Sequence, residues 1–281
     1  MGQMLDTKEV SAVFIKPSRG WVLPQIQDVW AYRELLYFLV WRDLKVRYKQ
    51  TVLGILWAIL QPFFLMVVFS IFFGKLAKIP SEGIPYPIFA YAALLPWSYF
   101  AHSFNACSDS LVGNSHLVTK VYFPRLVIPI SSVLSGLVNF GISFSILLAM
   151  MFYYRIIPTL TALLLPLLIF MTVATALGAG LWLSALNVHY RDVRYAITFL
   201  VQFWFFATPV VYPSSLVPER WRLFYGLNPM VGVIDGFRGA LLKKGQIFDP
   251  IFIVSIFVMS LLLISGAFYF GRMEKKFADV V

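Results

Sequence analysis

The chain has 281 residues, of which 60% are hydrophobic and 13% are charged. Soluble domains carry about 25% charged residues, and a soluble core built from this chain could not cover so much apolar surface. The composition therefore excludes an ordinary soluble protein and predicts a membrane protein with one domain. The net charge of +10 is explained by cations that flank membrane segments and face anionic lipid headgroups, so nucleic acid is not an expected partner.

The polar, irregular residues 1–27 are predicted to be an N-terminal extension, to which we assign no role. They show no apolar run before a small-residue cleavage site, so no secretory signal is predicted.

Residues 28–50 predict an amphipathic helix that lies on the cytoplasmic surface of the membrane. Its apolar residues recur at three- and four-residue spacing and share one face: Val29, Tyr32, Leu36, Val40, Leu44 and Tyr48. Five cations would lie at the depth of the lipid headgroups: Arg33, Arg42, Lys45, Arg47 and Lys49. The alternative is that this segment is the charged flank of the first crossing. We favour the surface helix because the stripe persists for five turns.

Six charge-free apolar runs are each long enough to cross the hydrocarbon layer, which needs about 20 residues of helix. The predicted crossings cover residues 52–74, 84–108, 126–154, 157–187, 195–212 and 250–271. The stretch 213–247 holds a shorter apolar run among Pro and Gly residues, which indicates re-entrant helical pieces. The predicted fold class is an all-α membrane protein with a six-helix transmembrane domain over 51–272.

An even number of crossings places both termini on the same side of the membrane. If that side is the cytoplasm, most Lys and Arg residues lie inside, and the exceptions concentrate in the long segment before the last crossing. The positive-inside rule therefore predicts N-in and C-in, with residues 273–281 as a cytoplasmic tail.

The sequence lacks the motifs of an enzyme active site. It contains no G-x-x-x-x-G-K-[ST] phosphate loop, and its three histidines lie far apart, without metal-ligand spacing. None of the six apolar runs holds an Asp or Glu of the kind that ion-coupled transporters use. We therefore expect no catalytic residue, no metal site and no cofactor in this chain, and an energy source outside it.

Residues 114–125, between the second and third crossings, mix apolar side chains with cations, which is typical of a docking surface. An inert connector is the alternative. Aromatic residues make up 17% of the chain, and lipid contact explains most of them. The functional alternative is a pore whose rings stack on the apolar faces of sugars. The candidates lie in the first and fifth crossings: Trp57, Phe63, Phe199, Phe203, Trp204 and Phe206.

Five segments in order resemble the permease subunits of polysaccharide-export ABC transporters, which are type-2 exporters. They are WRDLKVRY (41–48) continuing through LGILW (53–57) to Pro62, LVTKVYFPR (117–125), NVHYRDV (187–193), PVVY (209–212) and NP (228–229). Any one of these motifs is weak, but five in order are specific.

The resemblance implies the transmembrane subunit of an ATP-driven exporter in the bacterial inner membrane. Its substrate would be undecaprenyl-lipid-linked polysaccharide, with O-antigen favoured over capsular polysaccharide or teichoic acid, and over drugs or small lipids. It also implies a homodimer, whose conduit lies between the first and fifth crossings of both copies. Two copies of a separate ATPase subunit would bind ATP and Mg²⁺ and supply the energy.

By position, the resemblance assigns ATPase coupling or gating to residues of the two cytoplasmic loops: His116, Lys120, Tyr122, Arg125, Arg191 and Asp192. The five cations of 28–50 become candidates for binding the lipid pyrophosphate, although anchoring to membrane lipids explains them equally well. A membrane glycosyltransferase acting alone is disfavoured, because the sequence shows no acidic or basic cluster that would face a membrane cavity.

Overall fold

The computed structural model describes residues 26–49, 54–190, 192–243 and 249–274, together with residue 277. Predictions on most of the N-terminal extension, on Arg191, on the end of the re-entrant segment and on most of the C-terminal tail lie outside the described residues. Within these ranges every regular element is helical, which confirms the all-α prediction.

The α-helices are α1 (Ile26–Ala31), α2 (Arg33–Lys49), α3 (Gly54–Phe69), α4 (Tyr86–Gly113), α5 (Ser115–Lys120), α6 (Val127–Tyr153), α7 (Leu165–His189), α8 (Val193–Phe206), α9 (Glu219–Tyr225), α10 (Pro229–Leu242) and α11 (Pro250–Glu274). A π-helical turn (Ser70–Leu76) extends α3, and 3₁₀ turns cover Leu160–Leu164 and Ser214–Leu216.

Four helical segments in the described ranges are long and apolar enough to cross a membrane. They cover Ile59–Leu76, Val127–Tyr153, Leu160–His189 and Pro250–Glu274. These segments overlap the first, third, fourth and sixth predicted crossings.

The second predicted crossing corresponds to α4, which has 28 residues and continues past the predicted end to Gly113. It is less apolar than the four segments above because it carries His102, Asn105 and Asp109. The helix contacts α3, α6, α7, α8 and α10, and large side chains such as Tyr91 and Phe100 are fully buried. A helix that is covered by other helices does not need to be as apolar as one that faces lipid. We conclude that α4 is the central helix of the fold.

The fifth predicted crossing is a short helix followed by non-helical chain. The 14 residues of α8 give a length of about 21 Å, against the roughly 30 Å of the hydrocarbon layer. The prediction of a continuous segment over 195–212 is therefore wrong as a helix beyond Phe206. Pro209 and Pro213 explain the break, since proline has no backbone N–H and disfavours helical geometry in the residue before it.

Short helical pieces occupy the described part of the predicted re-entrant segment. Asn228 caps the N-terminus of α10, and its side chain accepts a hydrogen bond of 3.0 Å from the Met230 N–H. The N-cap and Pro229 at the first position explain why the helix begins there. The helix is followed by the C-cap residue Lys243, which adopts a left-handed conformation with φ 59°. Most side chains of α10 are buried against α4, α7 and α11.

α1 and α2 cover the described part of the predicted surface helix, and α2 packs on α6. Five of the six predicted stripe residues are partly buried, with Tyr32 exposed, so the stripe packs on the protein rather than forming a free apolar face. A second apolar set points away from the protein: Trp30, Tyr37, Phe38 and Trp41. The position of this helix at a membrane surface stays a prediction.

Arg238 of α10 occupies the space beside the broken end of α8. Its side chain is 3% exposed and donates hydrogen bonds to the carbonyl oxygens of Pro209 (2.7 Å), Val210 (2.8 Å) and Tyr212 (3.2 Å). The guanidinium also lies over the ring of Phe89 on α4, 3.6 Å from its centre. Buried carbonyl groups without a donor are costly. Arg238 therefore holds the chain in place where helical hydrogen bonding stops.

We predict that Arg238→Met lowers the free energy of unfolding by about 3 kcal/mol or more, because the three buried carbonyl oxygens lose their donors at about 1–3 kcal/mol each. Arg238→Lys should be intermediate, since an ammonium cannot span the same set of carbonyls. Thermal unfolding of the purified protein in detergent measures both effects.

The matched control is Arg220→Met, because Arg220 is exposed on α9 and contacts only the ring of Trp221 among the interactions described for it. It should melt like the wild type. Equal melting temperatures for the Arg238 and Arg220 variants would contradict a clamp role.

Candidate functional site

A central cavity of about 650 Å³ lies between α3, α4, α6 and α8. Uncharged polar side chains line it together with aromatic rings. The polar ones include Gln61, His102, Asn105, Asn139, Thr198 and Gln202. Among the described residues, its lining holds no Asp, Glu, Lys or Arg. This surface offers donors and acceptors of hydrogen bonds, and it carries no charge when His102 is neutral.

Only one of the six predicted conduit aromatics, Phe206, lines the central cavity. Trp57 and Phe63 of α3 and Phe199 of α8 are exposed, with 57%, 41% and 69% of their surface accessible. The structure therefore does not bring the six rings into one cavity within a single chain. It places most of them on the outward surface of the two helices that flank the cavity.

The other two predicted aromatics, Phe203 and Trp204, line a separate cleft of about 500 Å³ between α8 and α9. Trp204 donates to the Asn228 side-chain oxygen (2.8 Å), and the Asn228 amide donates to the Thr208 hydroxyl (2.8 Å). Its ring also packs edge-on against Phe100 of α4, with centroids 4.8 Å apart. Trp204 thus joins α8 to α4 and to the start of α10.

The polar residues of the central cavity were missed as site candidates, although the sequence carries a signal for them. Polar side chains inside apolar crossings are uncommon and face the protein interior or a wet space. His102 and Asn105 are three residues apart, and Thr198 and Gln202 are four apart, so each pair shares one helix face. Only the packing of α3, α4, α6 and α8 shows that these faces meet.

A second polar cavity, the α2 cavity, has a volume of about 530 Å³ and lies between α2, α4 and α6. Arg42 and Arg47 line it together with the hydroxyls of Ser132 and Ser135. Arg42 donates to Asp43 and also to the Asn114 side chain, each at 2.8 Å. The other three predicted cations are exposed: Arg33, Lys45 and Lys49. The five candidates thus divide into two cavity residues and three surface residues.

Tyr48 connects the α2 helix to the central cavity. Its hydroxyl donates a hydrogen bond to the side-chain oxygen of Asn139, which lines that cavity. Burial raises the pKa of Tyr48, and the positive charge of Arg47 acts in the opposite direction. The phenol therefore stays protonated at neutral pH and donates to Asn139.

The loop after α4 is anchored by two apolar side chains and presents polar ones. Val118 and Phe123 are 3% and 7% exposed and belong to a small core with Leu39 of α2. His116 and Lys120 are exposed, and Tyr122 is 84% exposed. Three of the predicted coupling residues are thus exposed on a loop that Val118 and Phe123 anchor.

Arg125 is hydrogen-bonded to another helix, unlike the exposed residues that precede it in this loop. Its backbone N–H donates to a Glu274 carboxylate oxygen (2.9 Å), and its guanidinium donates to the Glu274 carbonyl oxygen. It is half-buried and ties the loop to the end of α11. Asp192 is exposed at the start of α8, and Arg191 lies outside the described residues. Nearby, Arg194 pairs with Asp109 of α4 at 3.5 Å.

A family model described as ABC-2 type transporter matches residues 34–242. The match covers most of the chain, which therefore belongs to this family of transporter membrane proteins.

Three relatives cover nearly the whole chain. It is 31% identical over 260 residues to the O-antigen export system permease protein RfbA of Myxococcus xanthus, covering 91% of this chain and 98% of the relative. It is 28% identical over 249 residues to the protein of that name from Klebsiella pneumoniae (88% and 95%). The polysialic acid transport protein KpsM of Escherichia coli is 23% identical over 240 residues (83% and 91%).

We predict that Trp204→Ala destabilises the protein by about 2–4 kcal/mol, since it removes a packed ring and its hydrogen bond to Asn228. Phe199→Ala, on the same helix, should cost less than about 0.5 kcal/mol because its ring is exposed. Thermal unfolding in detergent compares the two variants. If the Phe199 variant were the less stable of the pair, the assignment of structural and surface rings on α8 would be wrong.

Proposed function

We propose that this protein is the transmembrane subunit of an ATP-driven exporter of undecaprenyl-lipid-linked polysaccharide, with O-antigen as the favoured substrate. The observation that carries this proposal is the central cavity with its uncharged polar and aromatic lining. Amide, hydroxyl and imidazole groups exchange hydrogen bonds with sugar hydroxyls, and ring faces pack on the apolar faces of sugars. A lining without fixed charge lets a long hydrated chain slide, because no single contact holds it strongly.

The proposed topology has six crossings in the bacterial inner membrane, with the N- and C-termini in the cytoplasm. The six crossings would be the four long apolar segments, the central helix α4 and the short helix α8. The non-helical residues after Phe206 complete the fifth crossing, which is tolerated where broken backbone packs on protein. α2 would lie at the cytoplasmic surface, with Trp30 and Trp41 at headgroup depth.

The α2 cavity is the proposed site of the lipid pyrophosphate. The hydroxyls of Ser132 and Ser135 donate to the carbonyl oxygens of Ile128 and Ser132, so the charge-assisted donors of the cavity are the guanidinium groups of Arg42 and Arg47. This donor set suits phosphate oxygens, which guanidinium groups bind strongly. Arg33, Lys45 and Lys49, which are exposed, would contact the anionic headgroups of membrane lipids instead.

The proposed assembly is a homodimer with two copies of an ABC ATPase. The exposed rings of α3 and α8, including Trp57, Phe199 and Phe203, favour a second copy across from them, so that the two copies together enclose the conduit. ATP and Mg²⁺ would bind in the ATPase subunits, and this chain would have no enzymatic activity of its own. His116, Lys120 and Tyr122 of the loop after α4, and Arg191 and Asp192 of the loop between α7 and α8, would meet the ATPase. Arg125 would position the loop after α4.

Capsular polysaccharide or teichoic acid is the alternative substrate, and small-molecule export is a less favoured one. O-antigen is preferred because the relatives named for O-antigen export are more similar to this chain than the one named for polysialic acid transport.

The test uses a strain of the source bacterium from which this gene is deleted. The deletion should remove O-antigen from the cell surface and accumulate lipid-linked polymer inside, and the wild-type gene should reverse both effects. A Tyr122→Ala variant should restore about a tenth of the surface polymer or less, because an exposed aromatic at an interface often contributes 2 kcal/mol or more to binding. Immunoblots of surface polymer and co-purification of the ATPase give the two measurements.

Tyr153→Ala is the matched control, since Tyr153 is an equally exposed tyrosine (79%) at the other end of α6. It should restore export fully. The purified chain alone should hydrolyse no ATP. A deletion strain that keeps its O-antigen but loses its capsule would favour the alternative substrate, and one that keeps both would contradict polysaccharide export.

A further inference from the structure

A groove of about 680 Å³ runs along α11 on the side where it meets α7, away from the central cavity. Its lining is apolar and aromatic along most of its length. Phe257, Leu261 and Ile264 are more than half exposed, and Arg272 lies at one end. From Phe257 to Arg272 the groove extends for about 22 Å along the helix. This length exceeds the depth of one leaflet, about half of the 30 Å hydrocarbon layer.

The groove borders a close contact between α7 and α11. At Gly178 and Gly266 the two backbones approach so closely that a side chain on either glycine would meet the other helix. Farther along α7, Trp182 stacks on Tyr269 with ring centroids 4.2 Å apart, and its indole N–H donates to the Ser265 hydroxyl at 3.1 Å. The polar edge of the indole is thus satisfied inside the protein.

Arg272 is the one cation in the described lining of the groove. It lies in the last turn of α11, a helix of 25 residues whose length of about 37 Å carries its ends into the headgroup layers. This depth holds whichever side of the membrane the C-terminus occupies. A guanidinium at headgroup depth, directly above an apolar groove, complements a lipid with an anionic phosphate head and an acyl chain.

We propose that this groove is a binding site for an anionic glycerophospholipid, with one acyl chain along α11 and its phosphate at Arg272. The site would hold a structural or regulatory lipid on the outer surface of the protein, separate from the export route. The inference is independent of the substrate proposed above, since it concerns the lipid environment of the chain and none of the central-cavity residues.

The test places the full-length protein in nanodiscs that contain phosphatidylglycerol or phosphatidylcholine with brominated acyl chains, which quench nearby tryptophan. The difference between wild type and Trp182→Phe isolates the signal of Trp182. We expect phosphatidylglycerol at equal mole fraction to quench Trp182 about five-fold more effectively than phosphatidylcholine, a ratio that corresponds to about 1 kcal/mol for one basic side chain at an anionic surface. This comparison needs no variant of Arg272.

R272Q should abolish the preference for phosphatidylglycerol. R194Q, which removes one exposed cation from α8 outside the groove, should keep it. Ser260→Phe should reduce quenching by both lipids, because the new ring fills the groove. Equal quenching by the two lipids in the wild type, or equal effects of R272Q and R194Q, would overturn the proposal. So would displacement of phosphatidylglycerol by a small mole fraction of unbrominated undecaprenyl phosphate, since the groove would then select the carrier lipid.

Discussion

Backbone carbonyl groups that leave a helix inside a membrane protein need donors from the protein, because lipid supplies none. This constraint governs the region around α8, where helical hydrogen bonding stops at Phe206. Arg238, which lies on α10, supplies these donors to the carbonyl groups of Pro209, Val210 and Tyr212. Its stacking on Phe89 of α4 links the broken segment to the central helix. The position of α8, and with it one wall of the central cavity, depends on this buried guanidinium.

The long apolar segments were predictable because hydropathy measures what lipid requires, and α6, α7 and α11 overlap the crossings predicted over 126–154, 157–187 and 250–271. The fifth crossing was predicted too long as a helix, since hydropathy does not register missing hydrogen bonds. Pro209 and Pro213 were the sequence features that indicated an earlier end of the helix. Arg238 belongs to the long segment before the last crossing, whose cations are predicted to lie on the external side, and the structure buries its side chain in the protein. A sequence shows the charge of such a residue but not the carbonyls that it will meet.

Part of the candidate site was likewise predictable from the sequence, and part of it was not. The surface residues of the loop after α4 were predictable, because cations and a tyrosine next to anchoring apolar residues indicate an exposed face. The central cavity was not, since its polar residues are scattered over four apolar segments that only tertiary packing brings together. Aromatic content drew attention to α3 and α8, yet their rings divide into exposed ones such as Phe199 and packed ones such as Trp204. In the proposed function, the α2 cavity binds the lipid pyrophosphate, the central cavity conducts the polysaccharide, and the loop after α4 contacts the ATPase.

The central claim is that the polysaccharide passes along the uncharged lining of the central cavity. A photoreactive amino acid in place of Gln202, which lines this cavity, tests the claim directly in exporting cells. The matched control carries the same group in place of Phe170, an exposed residue on α7. Illumination during export should attach polysaccharide to the variant at position 202, seen as a high-mass ladder on immunoblots, and not to the control. Polymer attached equally at both positions, or at neither while export proceeds, would contradict the account.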